Sequence, residues 1–132
     1  MNEFLNYEKT ARSTALYPSL FDLIYPTLGL VGEAGEVANK VKKLLRDNYK
    51  VKLESDVKLQ EASEIVEKAI NDIIHESNFK DVLKAELGDV LWYISNTAND
   101  VGLSLQEVAD YNNKKLLDRM ARNKIAGSGD DR

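Results

Sequence analysis

LGLVGEAGEVANKVKKLLRD, residues 28–47, sets Leu30, Ala34, Val37, Val41, Leu44 and Leu45 on one stripe when placed at about 100° per residue. That is the period of an α-helix, and Val31 and Ala38 widen the stripe. Glu33, Glu36, Lys40 and Lys43 form a second stripe along its border. The helix is expected to start near Pro26 and to end around Asp47. Gly29, Gly32 and Gly35 lie inside it, and each costs about 1 kcal/mol relative to Ala. Close approach by another backbone or a ligand would explain them; a partly irregular helix start explains them equally well.

The same period recurs outward in both directions. A first helix is expected over Asn2–Thr14, turning Phe4, Leu5, Ala11 and Ala15 to a core. Tyr17–Tyr25 reads as irregular, with two Tyr-Pro steps that favour extended backbone before each proline. A turn is expected over Asn48–Glu54, then a third helix over Asp56–Glu76 with the lone His75 at its solvated end. A fourth, Phe79–Val101, is expected to be capped by Asn78 and to exit at Gly102. It directs Leu83, Leu87, Val90, Leu91, Ile94, Ala98 and Val101 to the core, with Glu86, Asp89, Tyr93, Asn96 and Asp100 on the neighbouring polar stripe. Trp92 leaves the apolar stripe and calls for another partner, such as a second subunit. The fifth helix opens with a capping box, Ser104 to Glu107, and runs to about Arg122 with Asn112, Lys115 and Arg119 on one side. The Gly-rich end from Ala126 is expected to be mobile unless a ligand orders it. The sum is an all-α bundle of about five helices in a single domain, residues 1–132.

Composition narrows the function classes. The chain has no Cys, which removes disulfides, thiol chemistry and cysteine zinc sites. With 22 acidic against 18 basic residues and a net charge of −4, it lacks the basic balance of general nucleic-acid binders. No apolar run approaches the roughly 20 residues that span a bilayer, and the N-terminus lacks the apolar core of a signal peptide. A soluble cytoplasmic protein is the expectation.

Chemistry concentrates in two acidic pairs. Glu33 and Glu36 stand three residues apart, as do Glu86 and Asp89, so each pair projects from one side of its helix. Two such sides facing one another gather four hard oxygen ligands, a set that suits Mg²⁺ and also Mn²⁺. Spacing alone leaves a solvated acidic face as nearly as good a reading. A di-iron carboxylate bundle needs Glu-x-x-His pairs, and neither pair here is followed by histidine. No EF-hand loop, Walker loop or Ser-His-Asp arrangement is present.

GEAGEVANKVKK, then ELGDVLWY, NNKKLLDR and the terminal GSGDDR, together resemble the MazG-like nucleotide pyrophosphohydrolases of the all-α NTP pyrophosphatase superfamily. The resemblance covers Leu28–Lys43 and Lys84–Arg132. It implies Mg²⁺-dependent hydrolysis of a nucleoside triphosphate, with a deoxynucleotide favoured, to monophosphate and pyrophosphate. A guanosine polyphosphate substrate and a non-catalytic nucleotide- or metal-binding helical oligomer are the alternatives. The family pattern EExxE followed by ExxD maps onto Glu33, Glu36, Glu86 and Asp89 as metal ligands and catalytic carboxylates. Gly32 stands where the first Glu of EExxE would be, and the stretch from Glu36 to Glu86 is longer than in compact relatives. Tyr93 matches a position close to the nucleotide, and Asn112, Lys115 and Arg119 match the N-x-x-K-L-x-x-R element that contacts phosphate or base. Lys40 and Lys43 are further phosphate partners. Relatives assemble as homodimers or homotetramers, and the same is expected here.

Overall fold

A computed structural model describes residues 3–48, 64, 67, 68, 71 and 77–125. Among these the fold is all-helical, with no strand: α1 (Glu3–Ser13), a short 3-10 turn (Ser19–Phe21), α2 (Ile24–Asn48), α3 (Ser77–Asp100) and α4 (Leu105–Ala121). Of the expected helix Asp56–Glu76, the described residues Glu64, Glu67, Lys68 and Asn71 are helical and exposed. The turn after Asn48, His75 and the tail from Ala126 lie outside the described residues.

Two boundaries differ from expectation. α2 begins at Ile24, so Tyr25 is helical although a proline follows it. Pro26 falls within the first turn, where the missing N–H has no intrahelical acceptor to lose. α3 begins at Ser77, which puts Asn78 inside the helix and not at its cap. The far end of α3 is as expected: Gly102 takes φ +76°, its N–H donates to the Asn99 carbonyl, and Leu103 N–H donates to Ala98. Two residues on, Ser104 Oγ accepts from Glu107 N–H while the Glu107 carboxylate accepts from Ser104 N–H, a complete capping box that starts α4.

The chain divides into two compact units. The first, Met1–Thr27 with Trp92–Arg132, packs α1 against α4 and buries Ala11, Pro26, Ala98 and Leu105. Ser95, Asn96 and Arg119 are buried beside them, so this core is small and partly polar. Phe4 and Leu5, expected in the core, are exposed. The second unit is Leu28–Leu91. Among its described residues none is fully buried; Leu30, Val37, Leu44, Leu83 and Val90 are half-buried, while Val31, Val41, Leu87 and Leu91 are exposed. At Gly32 and Gly35 an added Cβ would meet nothing within 4 Å, so no close approach among the described residues explains these glycines. They instead border an open groove of about 470 Å³ with Val31, Glu36, Ala38, Asn39 and Lys42.

Candidate active site

In the second unit the helical period of α2 and α3 turns Glu33, Glu86 and Asp89 to one place. One carboxylate oxygen from each lies within 4.8 Å of the others. Glu33 and Glu86 are half-buried and Asp89 is exposed. Two unit charges at that separation repel by about 3 kcal/mol at an effective dielectric of ~20 and by about 1 kcal/mol in water. The exposed Asp89 puts this group toward the lower figure. Lys40, two turns beyond Glu33 on α2, sets its Nζ 3.1 Å from Glu86 Oε1. Three carboxylates and one ammonium leave a formal charge of −2, the complement of one divalent cation. Three hard oxygen donors with no nitrogen or sulfur suit Mg²⁺ or Mn²⁺ better than a softer metal. The residues present therefore fit the ion.

Glu36, the fourth expected ligand, is not among the three that converge. It is exposed and lines the open groove along α2 with Gly32 and Gly35. Lys43 is exposed as well.

The other expected site residues belong to the first unit. Tyr93 is half-buried, edge-on to Trp92 at a centroid distance of 4.8 Å and tilted toward Tyr25 at 6.5 Å. Along α4, Asn112 is exposed, Lys115 half-buried and Arg119 buried, so the three share a helix side but grade inward along it. Trp92 finds its partners within the chain. Its Nε1–H donates to Thr14 Oγ1 at 2.8 Å and its ring meets Tyr17 edge-on, so a second subunit is not needed to satisfy it.

One residue of this unit escaped the sequence reading as more than a stripe position. The Asp100 side chain has no exposed surface and takes three hydrogen bonds. Arg12 Nη1 donates to Oδ1 at 2.9 Å, while Tyr17 Oη at 2.9 Å and Leu23 N–H at 2.8 Å donate to Oδ2. Leu23 holds φ +64°, a left-handed conformation that costs a branched side chain of order 1 kcal/mol or more, directly before α2. Asp100 thus ties down the bend that launches α2. Tyr17 stacks on Tyr25 at 4.9 Å. Burial, followed by its hydrogen bond to Asp100, pushes the Tyr17 phenol up to about 12, with Arg12 opposing. An acid near the end of a polar stripe was the only sequence signal for this clamp.

The pattern of the MazG nucleotide pyrophosphohydrolase domain family matches residues 26–122. The chain is also 41% identical to the Gene 37 protein of Mycobacterium phage L5 over 132 residues, covering 96% of each chain. No solved structure matches it. No described helix is long and apolar enough to cross a membrane.

Proposed function

The chain belongs to the MazG nucleotide pyrophosphohydrolase domain family, and we propose that it hydrolyses (deoxy)nucleoside triphosphates to monophosphate and pyrophosphate, as a single cytoplasmic module that requires Mg²⁺. The observation that carries this reading is the convergence of Glu33, Glu86 and Asp89 within 4.8 Å. These three would hold the ion, with Glu36 as a fourth carboxylate. Bound there, Mg²⁺, or Mn²⁺ in its place, would neutralise phosphate charge and acidify water.

The chain's own residues then have defined tasks. A carboxylate of the quartet accepts the proton of the water that attacks the α-phosphorus, and the bond from that phosphorus to the bridging oxygen breaks as pyrophosphate leaves. Lys40, Lys43, Lys115 and Arg119 take up negative charge on the phosphate chain, and ammonium and guanidinium donors make the stronger, charge-assisted hydrogen bonds to such oxygens. Asn112 contributes a neutral contact to phosphate or base. Tyr93 flanks the nucleoside, its ring fixed by Trp92 and Tyr25.

The test is pyrophosphate release from a panel of nucleoside triphosphates with Mg²⁺, run on the wild type, Asp89→Asn and Glu36→Gln. Release by the wild type and its loss in both variants supports the reading. Equal release by all three would make the carboxylates surface decoration. Binding without release would make the protein a nucleotide-binding module, and release from guanosine polyphosphates alone would change the substrate class.

A further inference from the structure

Lys40 stands where a phosphate-binding lysine would not be left in the free protein. Its ammonium is 3.1 Å from Glu86 Oε1, on one of the three carboxylates that converge. It is thus a cation paired with that group. Any divalent ion held by Glu86 and its neighbours would lie beside this ammonium on the same carboxylate. Mg²⁺ sits about 2.0–2.1 Å from its ligand oxygens, so two positive centres would then share one carboxylate.

We propose that Lys40 is an exchangeable counter-ion of the carboxylate group: it neutralises Glu86 in the metal-free protein, gives way when a divalent cation binds, and passes to an oxygen of the substrate's phosphate chain. The proposal rests on the metal reading above and adds a task for this side chain. Three observations favour exchange over a fixed pair. The contact is an ion pair made by a lysine ammonium, not the two-pronged fork that holds an arginine in place. The Lys40 side chain keeps a third of its surface exposed, so swinging toward solvent costs little. Its departure leaves the three carboxylates with one positive charge fewer beside them, which strengthens the hold on an incoming cation as the lysine leaves.

This arrangement gives one substitution two effects of opposite sign. Lys40→Met removes the competitor for Glu86, so Mn²⁺ alone should bind about two- to fivefold more tightly, the range set by the worth of the partly exposed ion pair that the metal no longer has to displace. The same variant should bind inorganic pyrophosphate about three- to tenfold more weakly at saturating Mg²⁺, having lost one charge-assisted contact. Lys40→Gln serves as a second variant should the methionine disturb folding, and Lys40→Arg should recover the pyrophosphate affinity. The experiment titrates the full chain with Mn²⁺, following the free ion by electron paramagnetic resonance, and measures pyrophosphate binding by calorimetry with Mg²⁺ present. Tighter metal and weaker pyrophosphate in the same variant support the exchange. Metal binding that is unchanged or weaker in Lys40→Met and Lys40→Gln makes Lys40 a fixed orienting partner of Glu86 and overturns it. Unchanged pyrophosphate affinity also overturns it, because the lysine then has no second station. A wild-type chain that takes up no Mn²⁺ removes the metal reading and this inference together; wild-type uptake with unaltered variants removes this inference alone.

Discussion

Replacing Asp100 with Asn should destabilise the protein by about 2–4 kcal/mol. The carboxylate is wholly buried and serves three donors, Arg12 Nη1, Tyr17 Oη and Leu23 N–H. An amide offers one acceptor oxygen in place of two and turns an NH₂ toward a donor. If its oxygen keeps Tyr17 and Leu23, those two bonds lose their charge assistance, worth about 1 kcal/mol each. The Arg12 contact is then lost, but the Arg12 side chain is 44% exposed and re-hydrates, which limits that loss to about 1 kcal/mol. Relaxation of the left-handed Leu23 gives a little back. Asp100→Ala removes the acceptor of all three donors and should cost at least as much as Asp100→Asn. Urea denaturation followed by circular dichroism, at one fixed protein concentration, would read Asp100→Asn as a midpoint shift of about 1–2 M. Tyr17→Phe added to Asp100→Asn should cost clearly less than in the wild type, because both act on one network. An Asp100→Asn midpoint unchanged to within ~0.3 M, or full additivity with Tyr17→Phe, would refute the clamp.

Other outcomes follow from the same geometry. The Tyr17 phenol is raised from 10.0 to about 12 in the folded chain, so its contribution to stability is complete below pH 10 and drains away as pH rises toward 12. The wild type should therefore lose more stability across that window than Tyr17→Phe, measured by denaturation at each pH. Lys115→Ala should weaken nucleotide binding in calorimetry by about three- to tenfold, having lost one charge-assisted contact. Arg119→Ala should weaken binding too, but it removes a buried side chain and should also cost about 2–3 kcal/mol on unfolding. Light scattering at micromolar concentration should give at least a dimeric mass. The first unit exposes Leu16 and Leu20 and the second Leu28 and Val31, each by more than two thirds, apolar surface that a subunit interface would cover. A monomeric mass would contradict this.

The helices were legible because period and punctuation agree locally. The stripes of α2 and α3, the glycine exit at Gly102 and the Ser104–Glu107 box are all readable within a few residues of sequence. Three of the four acids also converge as their spacing suggests. What spacing could not supply is partnership across the chain. Asp100 meets Arg12, Tyr17 and Leu23 across 88, 83 and 77 positions, and Trp92 meets Thr14 across 78. No local pattern encodes such pairs. A helical stripe also ranks side chains by direction alone. It placed Leu87 and Leu91 with Ala98, yet only Ala98 is buried, because direction toward a neighbour does not guarantee that the neighbour covers the position. Lys40 shows the same limit: the stripe put it beside the acids, and the tertiary fold chose Glu86 as its partner.

The start of α4 carries one loose thread into the dynamics of the chain. Ser104 and Glu107 satisfy each other locally, but the next amide, Leu105 N–H, donates to the carboxylate of Glu8 on α1, 97 positions earlier. The hairpin of α3 and α4 can wind with its four-residue connection closed, yet this amide stays unprotected until the N-terminal helix arrives. Leu105 itself is buried, so its exchange with deuterium reports an opening event and not surface wetting. A single resolved peak thus becomes a clock for the docking and release of α1, separable from the exchange of the amides deeper in α4 that wait on the helix itself.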